Sequence, residues 1–296
     1  MEDTYQVAGI DVHKSMLAVV ISDAAREGEF QFQRRNFGAT ATELRAMHDR
    51  FREQGVREAV MESTAQYWKP VWQELEGRCE LFLAPAFSNR APRGRKRDFA
   101  DAERLLRRHV AGELIVSFVP NPEPRLWRRM TRGKHQLRRD RVRIHSQVES
   151  LLEDARVKLS GCVSDLLGVS SRRMLHGLAK GETDAAKLAA MADPGLRATP
   201  EQLQSAAPSL NPMHREILGL FLTRLEPIEK QMETLESHIA KALHGYREAV
   251  QRLAEVPGYG IDWARQVIAE VGGGAASFAS PGQLSFRIST GGSYRG

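Results

Sequence analysis

Residues 7–22, VAGIDVHKSMLAVVIS, decide the fold of the N-terminal part of the chain. Apolar residues dominate 7–11 and 16–22, and a tight turn at His13-Lys14-Ser15 separates the two runs. Short apolar runs on either side of a turn predict two strands. Alternation over 29–37 predicts a third strand, so the chain begins with a three-strand meander.

Helices and strands alternate after the meander. A loop with several cations is predicted over 85–97, where Pro85, Pro92 and Gly94 interrupt regular structure. The alternation predicts an α/β domain. Helical spacing and short apolar runs predict, in chain order, helix 40–54, strand 58–61, helix 67–76, strand 79–83 and helix 98–110.

Two long amphipathic helices are predicted in the second half, over 126–159 and 212–243. They pair either as an antiparallel hairpin within the chain or across a dimer. The predicted segments are 1–115 for the α/β domain, 116–160 and 212–245 for a coiled-coil-like region of long helices, 161–211 for a helical insert, and 246–296 for a partial, mainly α C-terminal domain.

Positive charge is concentrated in one band of the sequence. The 296 residues carry 43 Lys and Arg against 37 Asp and Glu, whereas 90–143 alone carries 17 against 6. Arg binds phosphate oxygens with a bidentate fork, and each neutralised phosphate releases counterions, so the band predicts a nucleic-acid partner. The later cations, on the helix predicted over 126–159, also fit a solvated helix face. The predicted phosphate contacts in the loop are Arg90, Arg93, Arg95, Lys96 and Arg97.

Several classes of protein do not fit the sequence. No apolar run approaches the roughly 18 residues that a membrane span needs, and residues 1–9 lack the pattern of a secretory signal. Cys79 and Cys162 have no Cys or His partner at metal-binding spacing, so neither a zinc site nor a disulfide framework is predicted. We therefore expect a cytoplasmic protein with no membrane partner.

Four carboxylates occupy positions typical of metal sites in phosphoryl-transfer enzymes. Asp11 and Glu62 lie at the ends of predicted strands, and Asp98 and Asp101 lie three residues apart on one helix face. Carboxylate oxygens bind Mg²⁺ or Mn²⁺, and a pair of such ions clamps the attacking and leaving oxygens of a phosphodiester. Taken singly, each acid also fits a helix cap, a turn or a surface ion pair. Together with the meander, the four acids predict a ribonuclease-H-like fold.

Three sequence blocks carry a resemblance to a known family: GIDVHK at 9–14, MESTAQYW at 61–68 and GRKRDFADAERL at 94–105. In order and spacing they resemble the signature blocks of the DEDD transposases of bacterial insertion sequences, the insertion sequence 110 group. The segments LGVSSRRML at 167–175 and VPGYG at 256–260 also look similar to that family. The resemblance therefore extends over nearly the whole chain.

The resemblance implies a fold, an activity and partners. The implied fold is a RuvC-like nuclease domain, a coiled-coil linker and a C-terminal transposase domain. The implied activity is metal-dependent transposition of DNA, with Asp11, Glu62, Asp98 and Asp101 as the catalytic, metal-binding acids. The implied partners are DNA, a structured guide RNA and further copies of the chain, as a dimer or tetramer, and we expect the protein at the bacterial nucleoid.

A nucleophilic serine is the remaining catalytic group that the resemblance implies. The family's C-terminal domain contains a segment similar to Leu-Ala-Trp-Ala-Gly-Leu before this serine, but SFRISTGGSYRG follows at 285–296 here. We therefore expect a truncated or altered C-terminal domain. Ser289 is the first candidate for the nucleophile and Ser293 the second, whereas a non-catalytic Ser/Gly-rich terminus is the other interpretation.

Two further features have a nucleic-acid interpretation and a structural one. Residues 256–272 resemble a helix-hairpin-helix, in which Gly258 and Gly260 present backbone N–H groups to a phosphate, but the same glycines fit a tight turn. Trp127 lies beside arginines and fits either stacking on a base or packing in the core.

The leading prediction is a metal-dependent, RNA-guided DNA transposase or recombinase. A junction-resolving nuclease of the RuvC type is an alternative, because it would share the acids but need neither the serine nor a guide RNA. A non-catalytic, nucleic-acid-binding remnant of a transposase is the alternative from a different class. The sequence leaves the target and donor DNA, the guide sequence and the oligomer number open.

Overall fold

The computed structural model describes residues 5–24, 30–89, 98–193, 198–206 and 210–272. The chain divides into two units, one that ends at Pro120 and one that begins at Asn121. Within the described ranges, no helix combines the length and the apolar character that crossing a membrane requires.

A five-stranded sheet forms the first unit, and its strands are β1 Gln6–Val12, β2 Met16–Asp23, β3 Gln33–Gly38, β4 Val56–Glu62 and β5 Glu80–Ala84. The strand order is β3-β2-β1-β4-β5. The first three strands pair antiparallel as the predicted meander, whereas β4 runs parallel to β1 and β5 parallel to β4. Because Ile10 pairs with Met61, Asp11 and Glu62 follow at the same edge of the sheet. This mixed sheet fits the predicted ribonuclease-H-like domain.

Helices cover both faces of the sheet. The helices α1 (Ala41–Glu53) and α2 (Trp68–Leu75) share one buried apolar cluster with the strands. The helix α3 (Asp98–Val110) lies on the other face, against β1, β2 and β4. Its contacts bury a second apolar cluster that includes Val7, Val20, Ala102 and Leu106. The sheet is therefore a middle layer between α1 and α2 on one side and α3 on the other.

The second unit is helical, and its helices are α4 Pro122–Asp154, α5 Leu159–Cys162, α6 Val169–Lys180, α7 Ala185–Ala190, α8 Pro200–Ala206, α9 Pro212–Ala242, α10 Arg247–Ala254 and α11 Ile261–Val271. The two long helices, α4 and α9, pack against each other within the chain. Lys134 pairs with Glu236 while Arg141 pairs with Glu229, so numbers rise along α4 as they fall along α9. The pair is therefore antiparallel.

The predicted bounds of two elements are wrong. The helix predicted over 126–159 begins at Pro122 and ends at Asp154. Proline is favoured in the first turn because its missing N–H would have no helical partner there. At the other end, Arg156 has φ of 60°, and this left-handed conformation ends the helix. The strand predicted over 29–37 begins only at Gln33, where pairing with Ile21 of β2 starts.

The second unit contains a buried ionic contact between α4 and α11. The Glu270 side chain has 0% exposure, and its two oxygens accept from the Arg132 guanidinium at 2.8 and 2.9 Å. Arg128, which is also buried, donates from Nε to the Ala269 carbonyl at 3.1 Å. Trp127, which precedes Arg128 on α4, is buried and packs edge-on against Tyr246. This burial fits the prediction that Trp127 packs in the core.

Candidate metal centre

Three side chains converge where β1 ends and α3 begins. Asp11 is buried near the end of β1, and Asp98 is the first residue of α3. The His13 Nε2 atom lies 3.0 Å from Asp11 Oδ2 and 3.5 Å from Asp98 Oδ1. Each of the three offers a ligand atom within 4.8 Å of the others, which is close enough for one metal ion to contact all three.

Glu62 and Asp101 add negative charge at Asp11. Burial raises the pKa of the Asp11 carboxyl, and although His13 opposes this, the negative charges of Asp101 and Glu62 raise it further. Like charges this close disfavour one another's ionised form. The site therefore concentrates negative charge that a bound cation would neutralise.

Glu62 and Asp101 are held by a chain of hydrogen bonds rather than by His13. Asn89 Nδ2 donates to Glu62 Oε2 at 3.1 Å, and Arg104 Nε donates to Asn89 Oδ1 at 3.2 Å. Arg104 Nη2 also donates to Asp101 Oδ1 at 2.6 Å. Of the four predicted acids, the structure thus groups Asp11 and Asp98 around His13 and ties Glu62 and Asp101 to each other through two further residues.

Sequence reasoning missed His13, Asn89 and Arg104. His13 was available from the sequence, because it stands two residues after Asp11 in the same signature block. Arg104 lies three residues after Asp101, a spacing that allows an ion pair on one helix face. Asn89 carries no such sequence signal, since only the fold brings its segment next to the end of β4.

The predicted nucleic-acid contacts fall largely outside the described residues. Outside the described residues lie both serine candidates, Ser289 and Ser293, and all five loop cations, Arg90, Arg93, Arg95, Lys96 and Arg97. Gly258 and Gly260 are described, in the connection between α10 and α11. Gly258 has φ of 85°, a conformation that favours glycine, and Gly260 is the N-cap of α11.

The start of α11 also exposes two aromatic rings. The Tyr259 and Trp263 rings are stacked, with their centroids 5.8 Å apart and an interplanar angle of 19°. Each residue is 41% exposed. Asp262, between them, accepts from Lys134 Nζ at 2.8 Å and pairs with Arg138, so cations of α4 lie beside this surface.

The mixed sheet and the acids clustered at its edge form the α/β unit that the sequence predicts. The chain belongs to the DEDD transposase family of the insertion sequence 110 group. The family model DEDD_Tnp_IS110, described as "Transposase", matches residues 8–156, which include most of β1, all of β2 to β5 and all of α4. A search of curated proteins found no match.

Solved structures of RuvC from Thermus thermophilus are among those that resemble the chain. The structure titled "Thermus thermophilus RuvC structure" is 11% identical, with a TM-score of 0.30, and the match covers 38% of this chain and 99% of that one. The structure titled "T. thermophilus RuvC in complex with Holliday junction substrate" is 10% identical, with a TM-score of 0.28 and the same coverage of 38% and 99%.

Proposed function

We propose that the protein is a metal-dependent DNA transposase or recombinase of an insertion sequence, guided by a structured RNA. The observation that carries the proposal is the convergence of Asp11, His13 and Asp98, with the charges of Glu62 and Asp101 acting on Asp11. Membership of a transposase family supports DNA as the substrate class.

The residues present fit a hard divalent cation such as Mg²⁺ or Mn²⁺. Such ions prefer carboxylate oxygens, and Asp11, Glu62, Asp98 and Asp101 supply them within a region of concentrated negative charge. Bound divalent cations would polarise the phosphoryl group and stabilise the attacking and leaving oxygens. The carboxylate oxygens are suitable ligands for such an ion, and a bound cation would stabilise the ionised form of Asp11, whose pKa is raised by burial and by neighbouring acids.

Other residues have proposed roles in holding and attacking the DNA. Gly258 and Gly260 would bind a phosphate through backbone N–H groups at the start of α11, and the five loop cations, Arg90 to Arg97, would hold the backbone near Asp98. The Ser289 hydroxyl would attack phosphorus and displace a sugar oxygen, so that a phosphoserine bond to DNA replaces one phosphodiester bond.

Strand cleavage or exchange on DNA from the flanks of the element tests the metal site. We expect activity with Mg²⁺ or Mn²⁺, none with excess chelator, and a loss of at least about 100-fold in Asp11→Asn and Glu62→Gln, since each substitution removes a charged ligand. Asp49→Asn and Glu53→Gln, on the exposed side of α1, are matched controls and should keep wild-type activity. Unchanged activity in both site variants would contradict the assignment.

Two measurements separate the transposase from its alternatives. RNA recovered with the full chain from cells should be one defined, structured species, and its removal should abolish strand exchange. The wild-type protein should form a covalent protein–DNA adduct. Ser289→Ala should form none, whereas Ser293→Ala should still form it. Cleavage of four-way junctions without RNA or adduct would instead support a junction-resolving nuclease, and DNA binding without cleavage would support an inactive remnant.

A further inference from the structure

We propose that Asn89 and Arg104 are positioning residues that hold Glu62 and Asp101 in place for metal binding. This inference rests on the proposed metal-dependent function and adds two residues to it. The four side chains form one continuous chain of hydrogen bonds, Glu62–Asn89–Arg104–Asp101, with distances of 3.1, 3.2 and 2.6 Å.

Both the NH₂ group and the oxygen of the Asn89 side-chain amide form hydrogen bonds. Asn89 is only 2% exposed, and its neighbours determine which way the amide faces. An ionised carboxylate only accepts hydrogen bonds and a guanidinium only donates them, so the amide NH₂ must face Glu62 and the amide oxygen Arg104. An amide is therefore suited to this position because it connects an anion to a cation without carrying a charge.

The backbone that leads to Asn89 is also held by contacts from other segments. Asn89 ends a short 3₁₀ helix, Ala86–Asn89, whose Ser88 carbonyl accepts from the Arg108 guanidinium. The Ser88 hydroxyl accepts from the Ile115 N–H at 2.9 Å. Because both contacts come from residues outside the 3₁₀ helix, the amide of Asn89 is presented from a supported backbone rather than from a free loop.

Arg104 completes the chain of hydrogen bonds because its guanidinium carries several nitrogen donors in one plane. Its Nε reaches Asn89 while its Nη2 reaches Asp101, so two nitrogens of one planar group serve two partners. A lysine keeps the positive charge but has a single nitrogen and no fixed plane. Arg104→Lys therefore separates the geometric role of the guanidinium from its charge.

The chain of hydrogen bonds holds each acid by one of its two carboxylate oxygens, Glu62 Oε2 and Asp101 Oδ1. The other oxygens, Glu62 Oε1 and Asp101 Oδ2, lie outside these contacts; Glu62 Oε1 accepts a long hydrogen bond of 3.5 Å from Thr64 Oγ1, and both oxygens would be available to a metal ion. Hydrogen bonds to the outer side of metal-ligating carboxylates orient them, and removing such partners typically weakens metal affinity by about 10- to 100-fold. The positive charge of Arg104 also reduces the repulsion between acids before a metal binds.

Mn²⁺ binding by the full chain without nucleic acid tests the proposal, with free Mn²⁺ measured by electron paramagnetic resonance. We expect Asn89→Ala and Arg104→Lys each to weaken Mn²⁺ binding by about 10- to 100-fold. The loss of affinity in the double variant should be smaller than the two single losses combined, because Asn89 and Arg104 share a hydrogen bond that either change removes. Asn36→Ala on β3 and Arg107→Lys on the exposed side of α3 are matched controls and should bind as wild type does.

The outcomes distinguish failure of the inference from failure of the proposed function. If wild type binds Mn²⁺ no better than Asp11→Asn, the metal-dependent function itself is wrong. If Asp11→Asn loses binding while Asn89→Ala and Arg104→Lys keep wild-type affinity, the positioning role is wrong. If Asn89→Ala does not fold, Arg104→Lys decides alone, because Arg104 is partly exposed and its circular dichroism and unfolding midpoint should stay close to those of wild type.

Discussion

Gly9 of β1 lies directly against Ala102 of α3. A Cβ atom built on Gly9 would lie 3.0 Å from Leu106 Cβ and closer still to the Ala102 carbonyl oxygen. The helix therefore approaches the strand at a distance that only glycine permits. Because Asp11 follows on the same strand and Asp98 and Asp101 are on the same helix, this contact sets how closely Asp11 approaches the two acids of α3.

Replacing Gly9 by alanine should both destabilise the first unit and weaken metal binding. The added methyl group meets backbone rather than a flexible side-chain end, so α3 must shift; overpacking of this kind costs about 1–3 kcal/mol. Urea denaturation and Mn²⁺ binding would measure the two effects. Gly219→Ala in α9 is the control, since a Cβ there meets nothing within 4 Å and should leave stability unchanged or higher. A variant with wild-type stability and Mn²⁺ affinity would contradict the role of Gly9.

His13 should be required for full metal affinity. Its Nε2 lies between Asp11 Oδ2 and Asp98 Oδ1, so His13→Ala removes the group that both carboxylates contact. We expect Mn²⁺ binding to weaken by about 10-fold or more in His13→Ala, and less in His13→Gln, whose amide can still donate to a carboxylate through its nitrogen or offer its oxygen to the metal ion. His48→Ala on α1 should have no effect. Equal losses in the Ala and Gln variants would argue against a contact made by the ring nitrogen.

Neutralising Glu270 should unfold the second unit more readily. The carboxylate is fully buried between Arg128 and Arg132, and removing one partner of a buried ion pair leaves an uncompensated charge, at a cost of about 3 kcal/mol. Chemical denaturation of Glu270→Gln measures this cost. The exposed pair of Glu248 and Arg252 on α10 provides the comparison, since Glu248→Gln should change the free energy of unfolding very little. Similar effects of the two substitutions would show that burial does not matter here.

Asp262 should make the second unit sensitive to acid. Burial opposes ionisation of the Asp262 carboxyl, but the hydrogen bond and charge of Lys134, together with Arg138, hold its pKa below its usual value. A carboxyl whose pKa is depressed by folding stabilises fully above its unfolded pKa, about 3.9, and loses that contribution as the pH falls through the folded pKa. Asp262→Asn should thus be less stable than wild type at pH 7.

The stability difference between wild type and Asp262→Asn should shrink as the pH falls below about 4, where the unfolded wild-type carboxyl takes up a proton, and should be lost below the lower folded pKa. Urea midpoints at several pH values measure it. Asp154→Asn, at the exposed end of α4, is the control for general effects of charge removal. A difference that stays constant down to pH 3 would mean that Asp262 acts through packing rather than through its charge.

The sequence predicts the sheet well because its signals are local. The meander, the α/β alternation and the existence of two long helices follow from periodicity, and Asp11 and Glu62 stand at strand ends that periodicity locates. Periodicity left open whether the long helices pair within the chain or across a dimer. The structural role of Gly9 depends on a contact with Ala102, which is far away along the chain. Asn89 and Arg104 are likewise joined only by the fold, so residue type and spacing say nothing about their hydrogen bond.

The cations of α4 illustrate the opposite case, because counting them in the sequence overstates the positive charge that is free to bind phosphates. Those with acidic partners in the structure include Arg128, Arg132, Lys134, Arg138, Arg141 and Arg143. A phosphate that contacts one of them must displace a carboxylate, so fewer salt ions are released per contact. The dependence of DNA or RNA affinity on salt concentration should therefore report fewer phosphate contacts than the 17 cations of residues 90–143 suggest.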